Sequence, residues 1–332
     1  MQKKYLWLLL VGILFFGCMA EHNYHRHTGV AEGTTFHIIY QSEKNYNRQI
    51  DSLLNRFEDI FSTYRKHSII SRFNRSTKGI AVRDSLFWKM LQAAQTINRL
   101  SGGAFDITVA PLVNAWGFGF TDTMQVDSLL IDSLRQLVGM HHLKIKGDSL
   151  LKDFPAVQID ANAIAKGLSV DYVFDFLIRR GIKNVMVEIG GEVRAQGVND
   201  KGKIWRIGID KPLDHNNPLN PDLEAVMALQ NKAVATSGNY RKFYIKNGVR
   251  YSHTINPKTG YPVQHSLLSA SVLAPSCMEA DAWATAFMVL GKEKGTALLK
   301  MNHLPVDVFF IYDEAGLFKE FATNGFKQSL KK

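Results

Sequence analysis

Ser252–Thr285 reads SHTINPKTGYPVQHSLLSASVLAPSCMEADAWAT, and its sequence of turn, strand and capped helix sets the fold class. His253 is followed by Asn256-Pro257 and Thr259-Gly260, two turn dipeptides, so an extended segment delivers the histidine where the chain bends. The apolar run Leu267 to Ala274 has the length of a strand, and Pro275 ends it. Ser276 and Glu279 form the capping-box pattern S-x-x-E, which predicts a helix running to a glycine stop at Gly291. Asp281 and Thr285 lie one turn apart on that helix, on a stripe shared with Cys277, Ala284 and Met288.

The pair has two readings from spacing alone. In one, Thr285 bonds a backbone carbonyl while Asp281 faces solvent or caps a neighbouring loop. In the other, they are oxygen ligands of Mg²⁺, which takes few protein ligands and completes its shell with water and substrate phosphate.

At 332 residues, 46% hydrophobic and 21% charged, the chain has the composition of an ordinary globular protein, which excludes disorder. Met1-Gln2-Lys3-Lys4 and the apolar run Tyr5 to Phe16 have the form of a secretory signal, too short to span a bilayer comfortably. Gly17-Cys18 closes it as in a lipoprotein signal, so residues 1–17 are read as signal peptide, Cys18 as the acylated N-terminus and 18–33 as a tether. That places the protein on a membrane, facing the periplasm. Cys277 is then the lone remaining thiol, and no disulfide framework is available. The formal charge of +10 falls to +8 when Lys3 and Lys4 leave, a balance that suits a phosphate-bearing partner or an acidic membrane. No basic run with interleaved aromatics occurs, so a nucleic-acid partner is not expected.

Residues 34–332 read as one large mixed α/β (α+β) domain, mostly antiparallel sheets packed with helices. His22, His25 and His27 fall in the tether. Thr34 to Tyr40 alternates as a strand, and Ile50 to Phe61 has helical period. Ser62 to Asn74 shows no clear period and is read either as a surface loop or as a ligand wall, with Tyr64 to stack on a flat ring and Arg65 and Arg72 to attract phosphate. Asp84 caps a helix closed by Gly102-Gly103, and that pair either ends the helix or lets backbone approach a ligand. Thr108 to Phe120 is read as an irregular aromatic loop, Asp127 to Gly139 as a helix, and Leu143 to Val157 as a hairpin. A strand end then delivers Asp160, and Lys166 sits in the first turns of a helix ending near Gly181, an arrangement that favours anions unless Lys166 pairs with a surface acid. Strands are predicted at Val185–Ile189, Val193–Ala195, Trp205–Ile209 and Ala225–Leu229, and a hairpin at Phe243–Ile255.

Four stretches together resemble the FAD:protein FMN transferases, flavin transferases once labelled thiamine biosynthesis lipoproteins. They are STYRKHSIISRFN from Ser62, SGGAFDITVAPLVNAWGFG from Ser101, IDANAIAKGLSVD from Ile159, and SHTINPKTG through EADAWAT from Ser252. The likeness covers essentially all of the chain after the signal. Glu32 stands where the family commonly has Met, and Asn162-Ala163 replaces a glycine pair.

The resemblance implies cleavage of FAD at its pyrophosphate, transfer of FMN to a threonine hydroxyl of another protein, and release of AMP. By matched positions it implies Asp281, Thr285 and the backbone of Ala163 as Mg²⁺ ligands. It implies Tyr64, Ala104, Phe105, Asp106, Asp160, Lys166 and Ile255 as FAD contacts and His253 as the base; were His253 not to serve, Asp160 or a metal-bound alkoxide is the next candidate. The acceptor it implies is a flavoprotein subunit of a membrane redox complex with a short Asp- and Thr-containing motif. Hydrolysis of FAD to FMN and AMP, or flavin binding without turnover, are the competing readings.

Overall fold

The Leu267–Ala274 strand is apolar at nearly every position because both of its faces are covered. Val272 and Ala274 turn to one side, into a core shared with Ile164, Trp283 and Phe287; Leu273 turns to the other, towards Trp205, Phe309 and Phe326. The computed structural model describes residues 23–119, 126–213, 222–239, 243–246, 249–302 and 304–330. An eight-stranded sheet runs through it, with all neighbours antiparallel. Its spatial order is its chain order: Tyr24–Ala31, Thr34–Gln41, Val185–Ile189, Glu192–Gln196, Lys232–Gly238, Leu267–Ala274, Asp307–Glu314 and Leu317–Ala322. The mixed class with mostly antiparallel pairing is as the alternating periods predict.

One face of the sheet carries the helices Asn162–Ile178 and Cys277–Asn302. The other carries the hairpin Trp205–Asp210 with Leu223–Leu229 and the short helix Asn324–Ser329. Asn162–Ile178 is buried almost all round, from Ile164 to Leu177, which is the signature of a central helix. Within it the Asp171 carboxylate accepts from the N–H groups of Cys277 and Met278, each at 3.0 Å, and pairs with Arg194 at 2.7 Å. The predicted box is also present: Ser276 Oγ accepts from Glu279 N–H at 3.3 Å and donates to its carboxylate at 3.0 Å. The first turn of Cys277–Asn302 is thus satisfied by its own cap and by the neighbouring helix. Gly291, at φ 75° and ψ 175°, interrupts the helix where a stop is expected, and helical structure then resumes to Asn302.

These two helices meet at Gly167, where a Cβ would strike the Cys277 carbonyl and lie 2.8 Å from Asp281 Cβ. Because the obstacle is backbone, it cannot rotate away. Gly167→Ala is expected to cost about 1–3 kcal/mol or more by overpacking, checked by denaturant unfolding.

Several local expectations change. Tyr24–Ala31 is a strand paired along its length with Thr34–Gln41, so residues from Tyr24 on are sheet and not tether. Its histidines suit an edge strand: His25 stacks on Tyr40, and His27 meets Phe36 and lies 2.6 Å from Asp51. Ser62–Asn74 contains the helix Ile69–Arg75, capped by Ser68. Arg65 is spent on Glu58 and Asp59, so it is not a free phosphate ligand. Thr108–Phe120 contains the helix Ala110–Ala115, and the predicted 127–139 helix spans only Ser128–Arg135. Asp84 caps Ser85–Leu100 as expected, and the Leu143–Lys146 and Ser149–Lys152 hairpin gains a third strand, Gly79–Ala81. The turn at Asn247-Gly248, like Cys18 and the signal, lies outside the described residues.

Candidate active site

Side chains and backbone tie the four stretches together. Asn74 donates to the Ile159 carbonyl at 2.9 Å and accepts its N–H at 2.8 Å, replacing the strand partner that the segment before Asp160 lacks. The predicted strand end at Asp160 is therefore extended chain without a ladder. The Asp160 N–H donates to the Ile107 carbonyl at 2.7 Å, joining the third stretch to the second. Trp116 Nε1 donates to the Gly260 carbonyl at 2.8 Å, and a Cβ on Gly103 would be 3.4 Å from Lys258, joining the second to the fourth. Gly167 closes the set by donating its N–H to Asp281 Oδ2 at 3.0 Å.

Asp281 is buried, so it neither faces solvent nor caps a loop. Burial pushes its carboxyl above the usual carboxylate range, opposed by Lys166 and the Gly167 N–H. One helical turn on, Thr285 Oγ1 lies 3.3 Å from Ser237 Oγ. In a regular helix the Gly167 N–H would serve the Ala163 carbonyl. Here the Asp281 carboxylate also accepts from that donor, which brings it to the turn that carries the Ala163 carbonyl. One carboxylate, a hydroxyl and a carbonyl form a hard oxygen set that suits Mg²⁺ with water and phosphate completing the shell. Among the described residues no group of three or more His, Cys, Asp or Glu is placed to hold a metal.

Lys166 does not pair with a surface acid. Its Nζ lies 2.5 Å from Oε1 of Glu192, a residue only 2% exposed. Burial works against the ammonium, but Glu192 and Asp281 outweigh it and raise the Lys166 pKa. Burial pushes Glu192 up, with Lys166 opposing. Glu192 escaped the sequence reading, since a single Glu opening a strand after Gly190-Gly191 looks like a turn residue. Glu32, in left-handed backbone at φ 55°, accepts from Ser169 Oγ, and its own N–H donates to Glu58 at 2.8 Å.

Burial is the main cause that raises the Glu32 carboxyl from 4.5 to about 8. The folded chain therefore holds a proton that the unfolded chain releases. The stability this contributes is complete below about pH 4.5 and is lost as pH rises through about 8. Glu32→Gln keeps the acceptor for Ser169, so its melting temperature relative to the parent is expected to climb across that window and then level.

The remaining predicted residues are placed as follows. Tyr64 is 84% exposed. Ala104 and Phe105 are buried, so their side chains belong to packing; the Phe105 N–H donates to Ser101 Oγ at 3.1 Å and its carbonyl accepts from Asn98 at 2.7 Å. Asp106 accepts from Thr108 N–H at 2.8 Å, Met140 N–H at 3.2 Å and Asn98 at 3.1 Å, and burial raises its pKa against those bonds. Gly103 N–H donates to the Asn98 carbonyl at 2.7 Å, so the glycine pair does end the helix. Asp160 accepts from Asn162 N–H at 2.8 Å at the start of Asn162–Ile178, and burial raises its pKa. His253 is half-buried with its ring 6.4 Å from that of Phe118. Ile255 is buried with Leu112, Trp116 and Ile131 and bridges to Pro262, which fixes the chain just after His253. A cleft of about 810 Å³ opens between Asn98, Gly103, Asp106, Arg135, His141 and Lys258; the Asp281, Lys166 and Glu192 group does not line it.

The chain belongs to the ApbE family, whose model matches residues 33–310. It is 40% identical to the FAD:protein FMN transferase of Vibrio cholerae over 98% of this chain and 99% of that one. It is 32% identical to the FAD:protein FMN transferase of Escherichia coli, covering 97% and 96% of the two chains. The solved flavin transferase ApbE from Vibrio cholerae superposes with a TM-score of 0.83 at 39% identity, covering 93% of this chain and 99% of that one. The apo Pseudomonas stutzeri flavinyl transferase ApbE gives 0.82 at 34% identity, covering 92% and 96%.

Proposed function

We propose that this chain is a Mg²⁺-dependent FAD:protein FMN transferase that joins FMN to a threonine hydroxyl of an acceptor flavoprotein and releases AMP. The observation that carries the reading is Asp281: a buried carboxylate beside a helical hydroxyl, facing the first turns of the helix that bears Ala163 and Lys166. In the reaction the threonine oxygen forms a bond to the FMN phosphorus, the anhydride P–O bond to AMP breaks, and His253 accepts the hydroxyl proton. Asp281, Thr285 and the Ala163 carbonyl would hold the metal, which neutralises charge on the pyrophosphate when bound. Lys166 draws the phosphates, while Tyr64, the Ala104-Phe105-Asp106 run, Asp160 and Ile255 orient the flavin nucleotide.

The test is to incubate the protein with FAD, Mg²⁺ and a threonine-bearing acceptor, then measure AMP and the acceptor's mass. Equimolar AMP and covalent FMN on threonine are expected. Free FMN with an unmodified acceptor would make the protein a hydrolase, and FAD bound without AMP release would make it a flavin carrier.

The acceptor we propose is a flavoprotein subunit of a membrane redox complex, met by a protein anchored through lipid on Cys18 on the periplasmic face. Among the described residues no helix is long and apolar enough to cross a membrane. Labelled fatty acid should enter the parent chain and not Cys18→Ala; equal labelling of both would remove the anchor from the proposal.

A further inference from the structure

The Lys166–Glu192 pair carries more than a structural salt bridge requires. Glu192 opens the Glu192–Gln196 strand and is 2% exposed, with Oε1 at 2.5 Å from Lys166 Nζ. Its second oxygen, Oε2, is buried and meets no donor among the described residues. Buried polar atoms are nearly always partnered, so a half-used carboxylate in a core calls for a purpose. Asp171, on the same helix as Lys166, shows the satisfied version: its two oxygens take Arg194, Cys277 N–H and Met278 N–H.

The path of the lysine is also shaped. Gly190, at φ 64°, leaves room for the stem, since a Cβ there would lie 3.2 Å from Lys166 Cδ and 2.9 Å from Thr34 Cγ2. A lysine stem has four rotatable carbons and, left alone, spreads its ammonium over many positions. Here the stem passes Gly190 and the ammonium meets one buried carboxylate oxygen, which narrows that spread.

We infer that Glu192 is a positioning residue of flavin transfer, whose buried carboxylate holds the Lys166 ammonium where it meets the pyrophosphate of FAD. The assignment rests on the flavin reading of Lys166 given above. Glu192 itself touches no reacting atom; it acts through Lys166.

The test uses the full chain with Glu192→Gln, Glu192→Asp, Lys166→Met and the double variant Glu192→Gln/Lys166→Met. FAD affinity is read from flavin fluorescence, KM and kcat from FMN transfer, and folding from melting temperature. Glu192→Gln is expected to raise KM for FAD and its Kd together by about tenfold, the coupling typical of one hydrogen-bonded network, with kcat within about threefold. In the Lys166→Met background the same substitution should add less than about twofold, because its route is already gone. Glu192→Asp keeps the charge but draws it back, so it should recover the melting temperature and not the KM. A KM unchanged in Glu192→Gln or Glu192→Asp, or full additivity in the double variant, would reduce Glu192 to a packing role. Should Glu192→Gln fail to fold, Glu192→Asp alone decides. A parent chain that binds no FAD would defeat the flavin reading itself, a result distinct from any of these.

Discussion

Asp281→Asn is expected to lower FMN transfer by a factor of about a thousand or more, because a charged oxygen is lost where several kcal/mol of transition-state charge stabilisation would be organised. The substitution is chosen over alanine for a structural reason. Asp281 Oδ2 accepts the buried Gly167 N–H at 3.0 Å, and an alanine would remove that hydrogen bond together with the charge, which would confound the two effects. Asparagine keeps the acceptor and removes a charge that burial disfavours, so the variant should melt at or above the parent temperature. Loss of transfer with intact melting separates a ligand from a packing residue. Transfer at the parental rate in Asp281→Asn, or in the parent after chelation, would end the metal assignment.

His253→Asn should lower the transfer rate by about 10²–10⁴-fold, equivalent to about 3–5 kcal/mol of barrier, with FAD affinity nearly unchanged. The expectation follows from where the ring is held. Ser252 before it is buried, and Ile255 two residues after it is locked into the Leu112, Trp116 and Ile131 cluster, so His253 is held on both sides while itself half-buried. Histidine is the side chain whose ordinary pKa lies near neutrality, which suits a base that takes a proton and releases it each cycle. Single-turnover measurements with bound FAD check this directly, since they isolate chemistry from binding. A variant that transfers within about threefold of the parent would shift the base role to Asp160, whose carboxyl burial already raises.

What the sequence made legible was local in origin. The S-x-x-E cap, the Asp84 cap, the hairpin from Leu143 and the Gly291 break are set by residues within a few positions, and each formed. Tyr24–Ala31 was hidden because its stability comes from a partner strand, not from its own apolar alternation. Lys232–Gly238 escaped for a related reason: it is flanked by Glu192–Gln196 and Leu267–Ala274, and Thr236 and Ser237 spend their hydroxyls on Ser271 and Thr285. Within the site the residue types were readable, but their pairing was not. Lys166 and Glu192 are brought together by the packing of a helix on a strand, and no spacing in the chain announces a contact of that kind.

The edge strand at the N-terminus also sets a leash. The chain is already fixed at Asn23, whose carbonyl accepts from the Ser42 N–H at 2.9 Å. If Cys18 carries the lipid proposed above, the backbone between anchor and sheet can extend no further than about 18 Å, at about 3.5 Å per residue. That is less than the thickness of a bilayer's hydrocarbon core. An enzyme so moored cannot sweep the surrounding space for substrates. Under that proposal its acceptors would have to present their threonine close to the lipid surface, and lengthening this stretch with a flexible insert would widen the set of proteins it can modify.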